Sequence, residues 1–94
     1  MIQAKKIEKE DIVHIRFSKT DVLTHISEIK QRDRDLEKAL SLGNNDHVKV
    51  KLTFLNVDND PFLIETTIWS VTEESICLKG DLLLPKRALL SVEC

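Results

Sequence analysis

The chain has 94 residues, of which 41% are apolar and 32% charged, and its formal charge is −2. A chain this long buries roughly 65% of its extended surface, which is enough for one core and leaves little stability margin, so association would help it. With only two Gly and two Pro, collagen-like, low-complexity and disordered classes are excluded. Nine basic and nine acidic residues in 1–47, against five and seven in 48–94, leave no polybasic half and no acidic tail.

The opening stretch, Met1-Ile2-Gln3-Ala4-Lys5-Lys6, has no apolar run behind its lysines and is not expected to be a secretory signal. No apolar run approaches the ~18 residues of a membrane span. A cytoplasmic location with no membrane partner is therefore expected. Residues 1–94 are expected to form a single α+β domain, with residues 1–11 frayed.

Val13, Ile15 and Phe17 alternate with His14, Arg16 and Ser18, a period of two that predicts a short N-terminal strand. Ser18 or Thr20 then offers a side-chain oxygen to cap a helix, and Asp21 suits a first turn. From Val22 the apolar spacing is helical through Ile26, Ile29, Leu36 and Leu40, and Gly43-Asn44-Asn45 is a stop signal. The expected helix is 20–42, about 34 Å long. That is more than so small a sheet needs, so part of it should overhang or meet a partner.

Beyond Gly43 the period returns to two. Val48, Val50, Leu52 and Phe54 form one strand, and Asp58-Asn59-Asp60-Pro61 is turn chemistry. Phe62 to Val71 reads as a second strand and Thr72-Glu73-Glu74-Ser75 as another turn. Ile76–Leu78, Leu82–Leu84 and Ala88–Val92 follow as short strands. Tight connections predict an antiparallel meander of five strands. The expected core is Val13, Ile15, Phe17, Val22, Ile26, Ile29, Leu36, Val50, Leu52, Ile64, Ile68, Ile76, Leu78 and Leu89.

Catalysis needs converging polar groups, and no nucleophile elbow, phosphate loop or zinc-protease motif is present. His14, His25 and His47 share no element with a suitably spaced metal ligand, and Cys77 and Cys94 form no CxxC. The expectation is a non-enzymatic chain with no cofactor and no metal, its cysteines reduced. A small enzyme or metal protein is the least favoured class.

Four features stand apart. Asp33 falls on the apolar line of the helix, where a carboxylate must be paired or lie at an edge. The flanking Arg32 and Arg34 can reach acids or a partner chain. Trp69 is either core or an exposed anchor of the type that dominates interfaces. Lys86-Arg87 is the adjacent basic pair of the C-terminal half and could contact an anion or RNA.

Ile64-Glu65-Thr66-Thr67-Ile68-Trp69, with Val71-Thr72-Glu73, Leu78-Lys79-Gly80 and a helix ending in Lys38-Ala39-Leu40, resembles short uncharacterised Bacteroidetes-type proteins, a likeness that brings no activity. Residues 48–93 also resemble the Sm-like fold, particularly the bacterial Sm-like RNA chaperone. Phe62 to Gly80 matches its central strands, and Leu84-Pro85-Lys86-Arg87-Ala88 through Val92 matches its basic turn and closing strand. That resemblance implies RNA contact through Lys86 and Arg87. The chain departs from the pattern at Thr66, where a glycine is expected, and at Pro85, where an aromatic is expected; no histidine follows Lys86.

The expected architecture is thus α+β: an N-terminal strand, one long helix, then a five-stranded antiparallel meander forming a twisted sheet or a small SH3/Sm-like barrel. The expected function is a cytosolic, non-enzymatic interaction module. It would self-associate, most readily as a dimer, with Arg32, Asp33, Arg34 and Trp69 as interface residues. The alternative is an Sm-like RNA-binding protein using its basic turn.

Overall fold

The computed structural model describes residues 3–94; Met1 and Ile2, the start of the segment expected to fray, lie outside the described residues. Among the described residues the fold is α+β, with one long helix and seven strands. In chain order these are β1 (Lys5–Lys6), a 3-10 helix (Lys9–His14), α1 (Ile26–Asp46), β2 (Val50–Leu55), β3 (Pro61–Thr66), β4 (Ile68–Val71), β5 (Ser75–Leu78), β6 (Leu82–Pro85), a second 3-10 helix (Lys86–Ala88) and β7 (Leu89–Glu93).

The strands form two sheets, a mixed one in the order β1-β3-β2-β7 and an antiparallel one in the order β4-β5-β6. β2 and β3 make the expected hairpin, with Leu52 opposite Ile64 and Phe54 opposite Phe62. Its turn is held by Asn56, whose Oδ1 accepts the N–H groups of Asp58 (2.9 Å) and Asp60 (2.8 Å). The core joins Leu36 and Ala39 of the helix to Val50, Leu52, Phe54, Ile64, Ile68, Ile76, Leu78, Leu84 and Leu89 of the sheets.

Several expectations are corrected here. The N-terminal strand is not 13–17 but Lys5–Lys6, pairing parallel to β3. The 3-10 helix that follows buries Ile12 and leaves Val13 exposed. Ile15 and Phe17 do pack on the core, Phe17 against Phe54 with ring centroids 5.8 Å apart, but they do so as a connection and not as part of a ladder.

The helix begins six residues later than expected. Ser18 Oγ accepts the Thr20 N–H (3.2 Å) and Asp21 Oδ1 accepts the Leu23 N–H (2.8 Å). Side chains of this type offer the backbone a local alternative to a helix, and here that alternative prevails until Ile26. The helix also runs past Gly43 to Asp46 and closes on His47 in the left-handed region (φ 55°), whose N–H bonds to Gly43 O at 3.1 Å. Gly43 is buried where α1 crosses β4. A Cβ there would collide with the Ile68 carbonyl oxygen and meet Thr67 Cγ2 at 3.1 Å. Glycine at this position permits close packing and does not stop the helix.

The Phe62–Val71 run is two strands. Thr66, Thr67 and Ile68 are all buried, which breaks the in-out alternation of a single strand. The chain bends at Thr67 and passes from one sheet to the other, and the register shifts again between Ile68 and Ser70. β7 does not extend the meander. The 3-10 helix at Lys86–Ala88 redirects the chain, and β7 pairs antiparallel with β2. The two sheets therefore keep separate edge strands, and the five-stranded meander closed as an SH3/Sm-like barrel is not formed.

The buried face of α1 is Arg32, Leu36, Ala39 and Gly43, rotated from the stripe that Val22 and Ile26 implied. Ile26 is 71% exposed, and no residue of α1 before Arg32 is buried. Of the other residues expected in the core, Ile15, Phe17, Val22 and Ile29 are only partly buried, while Ile12, Ala39, Phe54, Leu84, Ala88 and Val92 join it unforeseen.

Candidate functional site

Two loops and the long helix converge beside the second 3-10 helix. The 18–22 segment is tied to it twice: Arg87 Nε donates to Ser18 O (2.6 Å), and the Val22 N–H donates to Arg87 O (2.9 Å). The β4–β5 turn is tied to it by the Lys86 N–H, which donates to Glu74 O (2.9 Å). That turn is itself braced by Thr72 Oγ1, which accepts the N–H groups of Glu74 (3.3 Å) and Ser75 (3.0 Å).

The charged residue at the heart of this assembly is Arg32, 4% exposed. Its Nη1 and Nη2 donate to the two oxygens of Asp21 at 2.8 and 2.7 Å, and Nη1 also donates to Leu89 O at 2.9 Å. The guanidinium fork matches a carboxylate two bonds at a time, so this pair holds the 18–22 loop, α1 and β7 in one geometry. Nε of Arg32 is buried and makes no hydrogen bond among the described residues. Burial pushes the Asp21 carboxyl up, but the Arg32 hydrogen bonds, the Leu23 N–H and the Arg32 charge outweigh it and hold the group below the ordinary Asp value.

Between these loops lies an open cleft of about 330 Å³. One loop contributes Lys19 and Asp21, the β4–β5 turn Glu73 and Glu74, the 3-10 helix Lys86 and Arg87, and α1 Arg32. Three of these groups are engaged in ion pairs within the protein. Arg32 is committed to Asp21, and Lys86 Nζ lies 3.2 Å from Asp33 Oδ1.

The residues singled out in the sequence are thus brought together in part. Arg32, Asp33, Lys86 and Arg87 belong to this one assembly, with Asp33 at its rim, its side chain 47% exposed against 20% for Lys86. Arg34 points elsewhere: it is exposed, and its Nη2 donates to Gln31 Oε1 at 2.8 Å. Trp69 is 44% exposed at the register shift in β4. Asp21, Lys19, Glu73 and Glu74 escaped notice as site residues. Asp21 looks like a helix-start acid, and its separation of eleven residues from Arg32 across a non-helical loop carries no periodic signal. Cys77 is half-buried and Cys94 exposed, both as free thiols.

Among the described residues no three His, Cys, Asp or Glu side chains stand close enough to share a metal ion, and no helix is long and apolar enough to cross a membrane. No family model matches the chain, no curated protein matches it, and no solved structure matches its fold. The resemblances to Bacteroidetes-type proteins and to the Sm-like fold are therefore overturned, the second also by the unclosed sheets. Their residue likenesses fall in short β-rich runs, and alternating apolar residues with polar turns recur in unrelated sheets.

Proposed function

We propose that the chain is a non-enzymatic interaction module that associates with a second copy of itself through the N-terminal half of α1. The observation that supports this reading is the placement of that half-helix. No residue from Ile26 to Gln31 is buried, yet Ile26 is 71% exposed and Ile29 lies on the same face, three residues on. Apolar side chains at this spacing form a stripe that a facing helix can cover. Glu28 is followed along the helix by Lys30 and Arg34, so two copies running antiparallel set opposite charges against each other. Symmetric pairing of this type is the commonest way for a small chain to cover surplus apolar surface. The cleft brings together no nucleophile–base arrangement, which favours a binding role over a catalytic one.

Sedimentation at micromolar concentration tests it. A dimer that Ile26→Lys converts to a folded monomer is the expected result. A wild-type chain that stays monomeric up to about 1 mM, corresponding to association weaker than roughly 4 kcal/mol, overturns the reading.

A further inference from the structure

We propose that the cleft beside the second 3-10 helix binds a small molecule carrying one oxyanion, a phosphate or carboxylate, next to an amino or hydroxyl group. The inference rests on how Arg87 is held. Its Nε is fixed on Ser18 O at 2.6 Å, its carbonyl is fixed by the Val22 N–H, and its two terminal amino groups have no protein acceptor among the described residues. A guanidinium anchored at one nitrogen and open at the other two has already given up much of its rotamer freedom, and its planar edge suits an oxyanion taken two bonds at a time.

Lys19 lines the same cleft, exposed and with no ion-pair partner among the described residues. Arg32 forms part of the wall, almost wholly buried, with its Nε donor unused. Four cationic side chains thus line a space of about 330 Å³, and of these Lys19 and Arg87 carry no ion pair among the described residues; the volume is at the small end of the range for ligand pockets.

Glu73 and Glu74 narrow the ligand class. Neither carboxylate forms an ion pair with a described residue, and both border the cleft. With the Arg32–Asp21 and Lys86–Asp33 pairs closed, the groups left over are Lys19 and Arg87 against Glu73 and Glu74. A polyanion such as RNA meets as much repulsion as attraction there. A molecule with one negative group and a neighbouring hydrogen-bond donor or positive charge meets both halves favourably.

Amide chemical shifts of the full chain at pH 7, followed while titrating inorganic phosphate, acetate and phosphoethanolamine, test the proposal. Saturable shifts at Lys19, Glu74 and Arg87 are expected, tighter for phosphoethanolamine than for phosphate. The phosphate and acetate arms show which oxyanion the fork prefers. Lys19→Gln, which removes an exposed side chain with no structural partner, should weaken phosphoethanolamine about threefold. Arg87→Lys, which keeps the charge and loses the fork, should weaken it about tenfold. Glu74→Gln should remove the advantage of phosphoethanolamine over phosphate. The proposal is overturned by unsaturated shifts up to about 10 mM ligand, by equal shifts from sodium chloride at matched ionic strength, or by an oligoribonucleotide that binds these residues more tightly than phosphoethanolamine does.

Discussion

Arg32 and Asp21, eleven residues apart, meet through two hydrogen bonds of 2.8 and 2.7 Å while the guanidinium also caps the Leu89 carbonyl at 2.9 Å. The pair is lopsided: the Arg32 side chain is 4% exposed and the Asp21 side chain 31%. Deleting one partner is therefore not equivalent to deleting the other, because only the arginine is stranded without water.

Asp21→Ala should destabilise the chain by about 3 kcal/mol, since it leaves a buried guanidinium unpaired. Arg32→Met keeps the aliphatic packing, releases Asp21 toward solvent and should cost about 1 kcal/mol. The double variant should be close to Arg32→Met alone. Urea unfolding of the four proteins measures the coupling, and additive losses would contradict the account.

The same pair sets a pH dependence. The folded-state pKa of Asp21 is lowered below its unfolded value, so the folded protein releases the proton more readily. Its contribution to stability is fully present above the unfolded value, about 3.9, and drains away as pH falls through the lower folded value. Asp21→Asn should therefore be less stable than wild type at neutral pH, and the gap should narrow on acidification below about pH 4. Unfolding free energies measured at several pH values check the sign; a gap that widens in acid would be inconsistent with it.

Gly43→Ala separates helix propensity from packing. In an exposed helix the change would gain about 1 kcal/mol. Here the new methyl group meets the Ile68 carbonyl and the Thr67 side chain, so a net loss of about 2 kcal/mol is expected. Thermal unfolding followed by the fluorescence of Trp69, the neighbour of Ile68, would register both the loss and any shift of β4.

Asp33→Leu is expected to change stability by less than about 1 kcal/mol in either direction, because the Asp33 side chain is 47% exposed and Lys86, at 20%, keeps a path to solvent. Calorimetric melting at neutral pH reads this directly. A loss of about 3 kcal/mol would instead mark Asp33 as a buried, obligatory partner of Lys86.

Local chemistry was sufficient to place the β2–β3 hairpin and the short strands at 76–78 and 82–84, and to put the hairpin's turn at Asp58–Pro61, although the turn is held from Asn56 and Pro61 already belongs to β3. Alternation through Val50, Leu52 and Phe54, and Asn, Asp and Pro in the turn, act within a few residues, so the sequence carries them openly. Of the cleft, Lys86 and Arg87 were visible as an adjacent basic pair and Arg32 as a neighbour of Asp33. Their partners were not. Other features were decided by contacts between segments far apart in the chain. The helix begins at Ile26 and not at Thr20 because the Ser18 and Asp21 side chains bond their own backbone while Asp21 also answers to Arg32. It runs past Gly43 because β4 comes close enough there to need a residue without a side chain. It turns Arg32 inward, and not Asp33, because a long apolar stem ending in a guanidinium can be buried when a carboxylate and a carbonyl wait at its tip. Hydropathy ranks arginine as polar wherever it stands. Only the tertiary structure supplies the partners that make its burial affordable, and with them the open edge of Arg87 that faces the cleft.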